Sequence, residues 1–111
     1  MVVQSHFVFG RDIKDAGVRK EEYCNTVADV CSIDISGDFS GEIIVEGKLD
    51  KNCDNYIVLT GIDLSSFSLI NSISKKGIYE FSVEGIQYVR INVKSISGTA
   101  NIIGRFINTA A

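Results

Sequence analysis

Between Gly77 and Arg105 the chain alternates apolar and polar residues with a period of two through three consecutive segments. Tyr79, Phe81 and Val83 fall on one side, Glu80, Ser82 and Glu84 on the other. Val89, Ile91 and Val93 then alternate with Arg90, Asn92 and Lys94, and Ile102, Gly104 and Phe106 with Ile103, Arg105 and Ile107. Successive side chains of a strand point to opposite faces, so this pattern predicts three half-buried antiparallel strands joined by glycine-marked turns. Tyr79, Phe81, Val89 and Ile91 are core positions on this pattern, and none of them carries catalytic chemistry.

The same period recurs upstream. Cys31, Ile33 and Ile35 form one strand that ends at Ser36-Gly37-Asp38, and Ile43 and Val45 lie in a second, after Gly41. Tyr56 to Leu59 reads as another strand, and Phe67 and Leu69 mark a weaker one before Ser74-Lys75-Lys76-Gly77. Six or seven strands therefore follow residue 26 at a spacing of about 8–12 residues, which suggests a β-sandwich. No window sustains a helical stripe; at most residues 18–23 form one helical turn. The expected fold is all-β, an antiparallel sandwich of jelly-roll or immunoglobulin-like type with about 7–8 strands and an N-terminal arm.

A chain of 111 residues makes one domain with a core that needs no staple. Residues 1–26 stand apart as an arm, or as a first strand over Phe7–Phe9 followed by an irregular linker; residues 27–111 form the sandwich. On the arm alternative, residues 1–22 are removable without unfolding the rest.

Composition narrows the function. A net charge of −3 with scattered Lys and Arg lacks the basic footprint of a nucleic-acid binder. No apolar run reaches the ~20 residues that span a bilayer as a helix, and Gln4, Ser5 and His6 follow Met1 too early for a signal peptide. Synthesis in the host cytoplasm, without a leader and without membrane contact, is the expectation. Three cysteines, Cys24, Cys31 and Cys53, favour thiols over a disulfide framework. Cys31 falls in a core position, with Cys24 and Cys53 in loops.

Candidate chemistry is sparse. His6 is the only histidine and stands in the arm without a partner motif. The cysteines are separated by seven and twenty-two positions, unlike the close pairs of structural zinc sites. Asp50, Asn52 and Asp54 resemble the start of a calcium loop, but Asn55 and Asp63 stand where its glycine and glutamate belong. Phosphate-binding glycine loops are missing. Tyr56, Tyr79 and Tyr88 are the aromatics available for stacking on a sugar, although Tyr79 fits the core better. No catalytic residue, cofactor or metal follows from these features.

Three segments resemble a recurrent small β-sandwich of tailed-bacteriophage virion proteins. Phe39 to Asp50, FSGEIIVEGKLD, is similar to a strand of that family followed by its x-E-G-S-x-D segment. Gly77 to Gly85 with Tyr88-Val89-Arg90-Ile91-Asn92-Val93 resembles its G-x-Y core and following [VF]-R-[VI]-x-V strand. Ser97 to Arg105 resembles its closing SGT strand. The likeness covers residues 37–107; the family often carries tryptophan where Asn52-Cys53-Asp54-Asn55-Tyr56 stands here, and residues 1–26 have no counterpart. Arg90 is its most distinctive mark, and on a sheet face an arginine spans to a neighbouring strand's carboxylate or carbonyls.

The resemblance implies a non-enzymatic structural protein of a virion, partnered by capsid or tail subunits and by further copies of itself. An accessory capsid role, as decoration or head fibre, comes first; a tail or baseplate component and a carbohydrate-binding module are the alternatives. Phe7, Phe9, Arg11 and Tyr23 are the expected assembly contacts, with Phe7 and Phe9 docking into a neighbour's groove or adding a strand to it.

Overall fold

A computed structural model describes residues 2–3, 6–24 and 28–109. It is all-β, with ten strands: β1 (Val2–Val3), β2 (Phe7–Ile13), β3 (Gly17–Val18), β4 (Glu22–Tyr23), β5 (Val30–Lys48), β6 (Ile57–Val58), β7 (Gly61–Asp63), β8 (Ser68–Ile70), β9 (Gly77–Ser82) and β10 (Tyr88–Asn108). They form one antiparallel hydrogen-bonded sheet with the order β1-β10-β5-β9-β7-β8; β2, β3 and β4 also pair with β10, and β6 with β5. Residues 18–23, open to a helical turn on sequence, hold no helix: Val18 ends β3, and Glu22–Tyr23 form β4.

Two strands dominate. The 31–35 and 42–46 segments, expected as separate strands around a turn, are one strand, β5; the 88–93 and 102–107 segments are likewise one strand, β10. β5 and β10 pair along nearly their whole length. A flat 19-residue strand spans roughly 65 Å at ~3.4 Å per residue, yet the longest dimension of the molecule is 37 Å. The pair must therefore bend. Its glycines sit where it does: Gly41 in β5 and Gly98 in β10 have φ of +147° and +92°. A Cβ at Gly41 would stand 2.2 Å from the Ser95 carbonyl oxygen, and one at Gly98 2.2 Å from that of Asp38. Only glycine combines this conformation with so close a backbone approach. What reads locally as turn chemistry is a bend inside a continuous ladder.

A bulge accompanies the bend. Val93 pairs with Ile43 but Ser95 with Glu42, so Lys94 is an extra residue on β10. One extra residue inverts the alternation. The buried positions of β10 are accordingly odd before it (Val89, Ile91, Val93) and even after it (Ala100, Ile102, Phe106), whereas β5 buries odd positions throughout, Cys31 to Val45. Both ends of the folded pair face one core, which also takes in Tyr79, Phe81 and Val83.

The N-terminal segment runs beside β10 as its second neighbour. β2 pairs with residues 100–104, β3 with Asn92 and Val93, and β4 with Tyr88 and Val89. Phe9 is 5% exposed and Ile13 4%. Phe7 meets Phe9 edge-on and lies against Phe106, both at 4.9 Å between ring centroids. Gly104 leaves the slot for these rings: a Cβ there would stand 2.8 Å from Phe9 Cε2 and 3.0 Å from Phe7 Cε2. Of the two alternatives for this segment, the strand over Phe7–Phe9 lies within β2, and Phe9, Ile13 and Cys24 join the core while β2, β3 and β4 extend the sheet.

At the opposite edge the expectations also shift. The Tyr56–Leu59 strand shrinks to Ile57–Val58, and Phe67 and Leu69, placed by period in a weak strand, are 81% and 74% exposed.

Candidate functional site

The densest polar cluster lies on the outer face of the β10–β5 pair, on the half before the bend. Arg90 faces Glu46 across the ladder, and Tyr88 faces Lys48 on one side and Tyr23 on the other. Arg90 Nε donates to Glu46 Oε1 at 2.9 Å, and Asn92 Nδ2 donates to Glu46 Oε2 at 3.3 Å. The Arg90 guanidinium stacks on Tyr56, its Cζ 3.5 Å from the ring centroid. The Tyr56 hydroxyl donates to Glu21, which also pairs with Lys48 Nζ at 3.2 Å. Lys48 Nζ lies 5.1 Å from the Tyr88 ring and 5.3 Å from that of Tyr56. Tyr23 meets Tyr88 edge-on at 5.6 Å.

The sheet dictates much of this arrangement. Directly opposed residues on one face lie about 5 Å apart, so Arg90 and Glu46 meet without any loop to position them. Glu46 and Lys48 are each 9% exposed, and the two charges are met there by opposite charges and, for Lys48, by aromatic faces. Chemically the cluster is a closed network: its cations and anions are paired with each other, and the tyrosine faces are covered in part by them. It ties β4, β5, β10 and the 50–56 loop together.

Removing one member should expose that dependence. Arg90→Ala is expected to cost about 1–3 kcal/mol, between an exposed and a buried ion pair, and Arg90→Lys to recover only part, since lysine cannot stack as a plane. A double-mutant cycle with Glu46→Ala, followed by denaturant unfolding, should give a coupling of about 1 kcal/mol or more. Additive single-mutant costs would show that the pair is not coupled.

The remaining sequence candidates fall elsewhere. Phe7 and Phe9 pack inside this chain, Arg11 is exposed on β2, and Tyr23 is exposed beside Tyr88. The four are not brought together as one surface. Tyr79 and Phe81 are buried in the same core as Val89 and Ile91, and the Tyr79 hydroxyl donates to the Lys75 carbonyl at 2.7 Å. Asp50 closes its own turn, its Oδ1 accepting from Asn52 N at 2.9 Å and its carbonyl from Cys53 N at 3.0 Å. Among the described residues no group of three His, Cys, Asp or Glu side chains is placed to hold a metal ion. Nor is any helix there long and apolar enough to cross a membrane, which does not bear on crossing by strands.

Cys24, assigned to a loop on sequence, is as buried as Cys31, because β4 carries it over the core. Burial pushes its thiol up to about 11; burial, with Cys24 beside it, raises Cys31 as well. Cys53 is half-buried. A thiol reagent near neutral pH should therefore label Cys53 first, with Cys24 and Cys31 reacting only after denaturation. Equally fast labelling of a second cysteine in the native chain would contradict this burial.

Glu46 and Lys48 were visible in the sequence as the polar side of β5, but only the register reveals them as partners of Arg90 and Tyr88. Glu21 carries no such signal, because it lies in a segment without a steady period.

Comparison with known proteins follows from this fold. No protein-family model matches the chain, and no curated protein matches it. Among solved structures, the fold is that of a small all-β module found in phage-derived proteins. The SPBc2 prophage-derived protein YomS superposes with a TM-score of 0.82 at 22% identity, over 96% of this chain and 95% of that one. The PBSX exported protein XepA superposes with a TM-score of 0.84 at 17% identity, over 96% of this chain but 38% of XepA. The chain thus spans nearly the whole of one neighbour and well under half of the other.

Proposed function

We propose that this chain is a non-enzymatic structural protein of a phage or phage-like particle, an accessory component of the capsid. The observation that carries it is the likeness to a prophage-derived protein of about the same size, over 96% of this chain and 95% of that one. The same module forms part of a longer protein from a second phage-related source, as expected of a building block used alone or in combination. The polar cluster supports a scaffold role too, since its charged groups are engaged with one another rather than aimed into a cleft. A rigid module of this kind acts by the surfaces it presents, and its partners are capsid subunits and further copies of itself. A tail or baseplate position is the other placement for the same module.

Deleting the gene and examining the particles by electron microscopy separates the two. Heads that lose surface density or stability, with normal tails, are expected. Unchanged heads with defective tails would move the protein to the tail, and particles normal in both would overturn the structural role.

A further inference from the structure

In the other half of the sheet, the outer face around Arg105 carries charges that meet nothing within the chain. Register sets out two rows. Arg105, Ser32 and Glu80 stand side by side on β10, β5 and β9, and Ile103, Asp34 and Ile78 stand in the next outward row. Between the rows lies the Gly104–Ile33 pair, buried toward the core, and over it the face sinks into a depression of about 430 Å³. Arg105, Asp34, Ile103 and Ile78 line this depression. His6 lines it too, since it precedes the Phe7 that pairs with Gly104 and so stands beside Arg105.

Three ionisable groups are unspent here. Among the described residues, the side chains of Arg105, Asp34 and His6 take part in no ion pair or hydrogen bond. Ser32 is turned to Glu80, its hydroxyl donating at 3.4 Å. In the cluster around Glu46, by contrast, Arg90 and Lys48 each have an anion. Arg105 and Asp34 are diagonal neighbours across the β10–β5 ladder. Such neighbours lie ~7–8 Å apart, so the two leave a gap between them that a ligand can bridge.

The gap selects that ligand. Arg105 offers the planar fork that grips a carboxylate through two parallel hydrogen bonds, and His6 is a further donor beside it. Asp34 only accepts, so the ligand must bring a hydroxyl or an ammonium to it. A simple inorganic anion has no such donor and is repelled by Asp34. An α-amino acid has both groups, but on one carbon, too close together to span the gap. A hexuronic acid fits, because its carboxylate and its far hydroxyls stand at opposite ends of one pyranose ring. The C–H groups of that ring suit the apolar walls, Ile103 and Ile78. We propose that this depression binds an acidic sugar, a hexuronate, with its carboxylate on Arg105 and a hydroxyl on Asp34. The charged groups are exposed, so water and salt screen them, and a single sugar binds with a Kd of about 1 mM. The site does not rest on the particle reading, because it belongs to the purified chain.

An NMR titration of the isotope-labelled intact chain with methyl glucuronide and methyl galacturonide tests it. Saturable shifts confined to residues around Arg105, Asp34 and Ile103 are expected from at least one of the two. The corresponding methyl glucoside and galactoside, which lack the carboxylate, should bind about ten-fold more weakly or worse, as should acetate and alanine. Arg105→Ala should weaken the uronate by about ten-fold or more and leave the neutral glycosides unchanged. Asp34→Ala should weaken the uronate yet tighten acetate, because it removes a hydroxyl acceptor and a like charge together. Both positions are exposed, and the spectra themselves report that each variant folds. No saturable shift with either uronate well above the millimolar range would overturn the proposal. So would shifts centred elsewhere, acetate or alanine binding as well as the uronates, or a uronate affinity unchanged in either variant.

Discussion

Removal of residues 1–22 is expected to unfold the domain rather than to free it of an arm. The deletion takes away Phe9 and Ile13, both buried, together with Phe7, and strips β10 of the neighbour that pairs with residues 100–104. Losing a buried phenylalanine or isoleucine side chain costs roughly 2–5 kcal/mol. Two of them, with the slot over Gly104 left empty and Phe106 uncovered, approach the ~5–15 kcal/mol that separates a folded domain from its unfolded chain. The truncated protein should be insoluble, or lack a cooperative thermal transition followed by circular dichroism. A cooperative melt within a few degrees of the full chain would restore the detachable arm.

The second large effect lies at the bend. Gly98→Ala should lower stability by about 3 kcal/mol or more, because a non-glycine residue held at positive φ costs ~1–3 kcal/mol and the new Cβ also overlaps the facing backbone. That backbone is the Asp38 carbonyl, 2.2 Å away, and it cannot rotate aside as a side chain can. For a domain of this size the midpoint should fall by about 10 °C or more. Gly85→Ala is the control. Gly85 also has positive φ, +81°, but a Cβ there meets nothing within 4 Å. It should show only the conformational part, ~1 kcal/mol. Equal losses at the two positions would mean that backbone approach at the bend is unimportant.

These effects mark where local sequence stopped being informative. Period-two alternation located the inward residues well: Tyr79, Phe81, Val83, Val89, Ile91 and Val93 are all buried. Even the bulge leaves a trace, since apolar positions are odd up to Val93 and even from Ile102. The continuity of β5 and β10 was not legible, because a glycine at positive φ looks the same in a tight turn and in a bent ladder. Only the partner strand distinguishes them, and its register is a long-range property. The N-terminal segment hid for a related reason. β2 is a seven-residue strand, but β3 and β4 have two residues each, too short for any period to declare itself. Arg90 could be given a role from its face alone, whereas its partners Glu46 and Tyr56 required the fold.

The resemblance on sequence and the likeness in structure converge from different residues. The first rests on turn and strand motifs between 37 and 107; the second spans nearly the whole chain, including the segment with no sequence counterpart. In this chain the two outer faces of the sheet are dissimilar. One is polar and closed on itself around Arg90 and Glu46; the other mixes exposed apolar residues, Ile78 and Leu69, with the exposed charges of Asp34 and Arg105.

The role as a particle component is tested most directly by quantitative mass spectrometry of gradient-purified particles from the producing host. The protein should sediment with the particles, in a constant ratio to the major capsid subunit across the gradient. Its absence from the particle fractions, with all of it in the soluble lysate, would contradict a structural role.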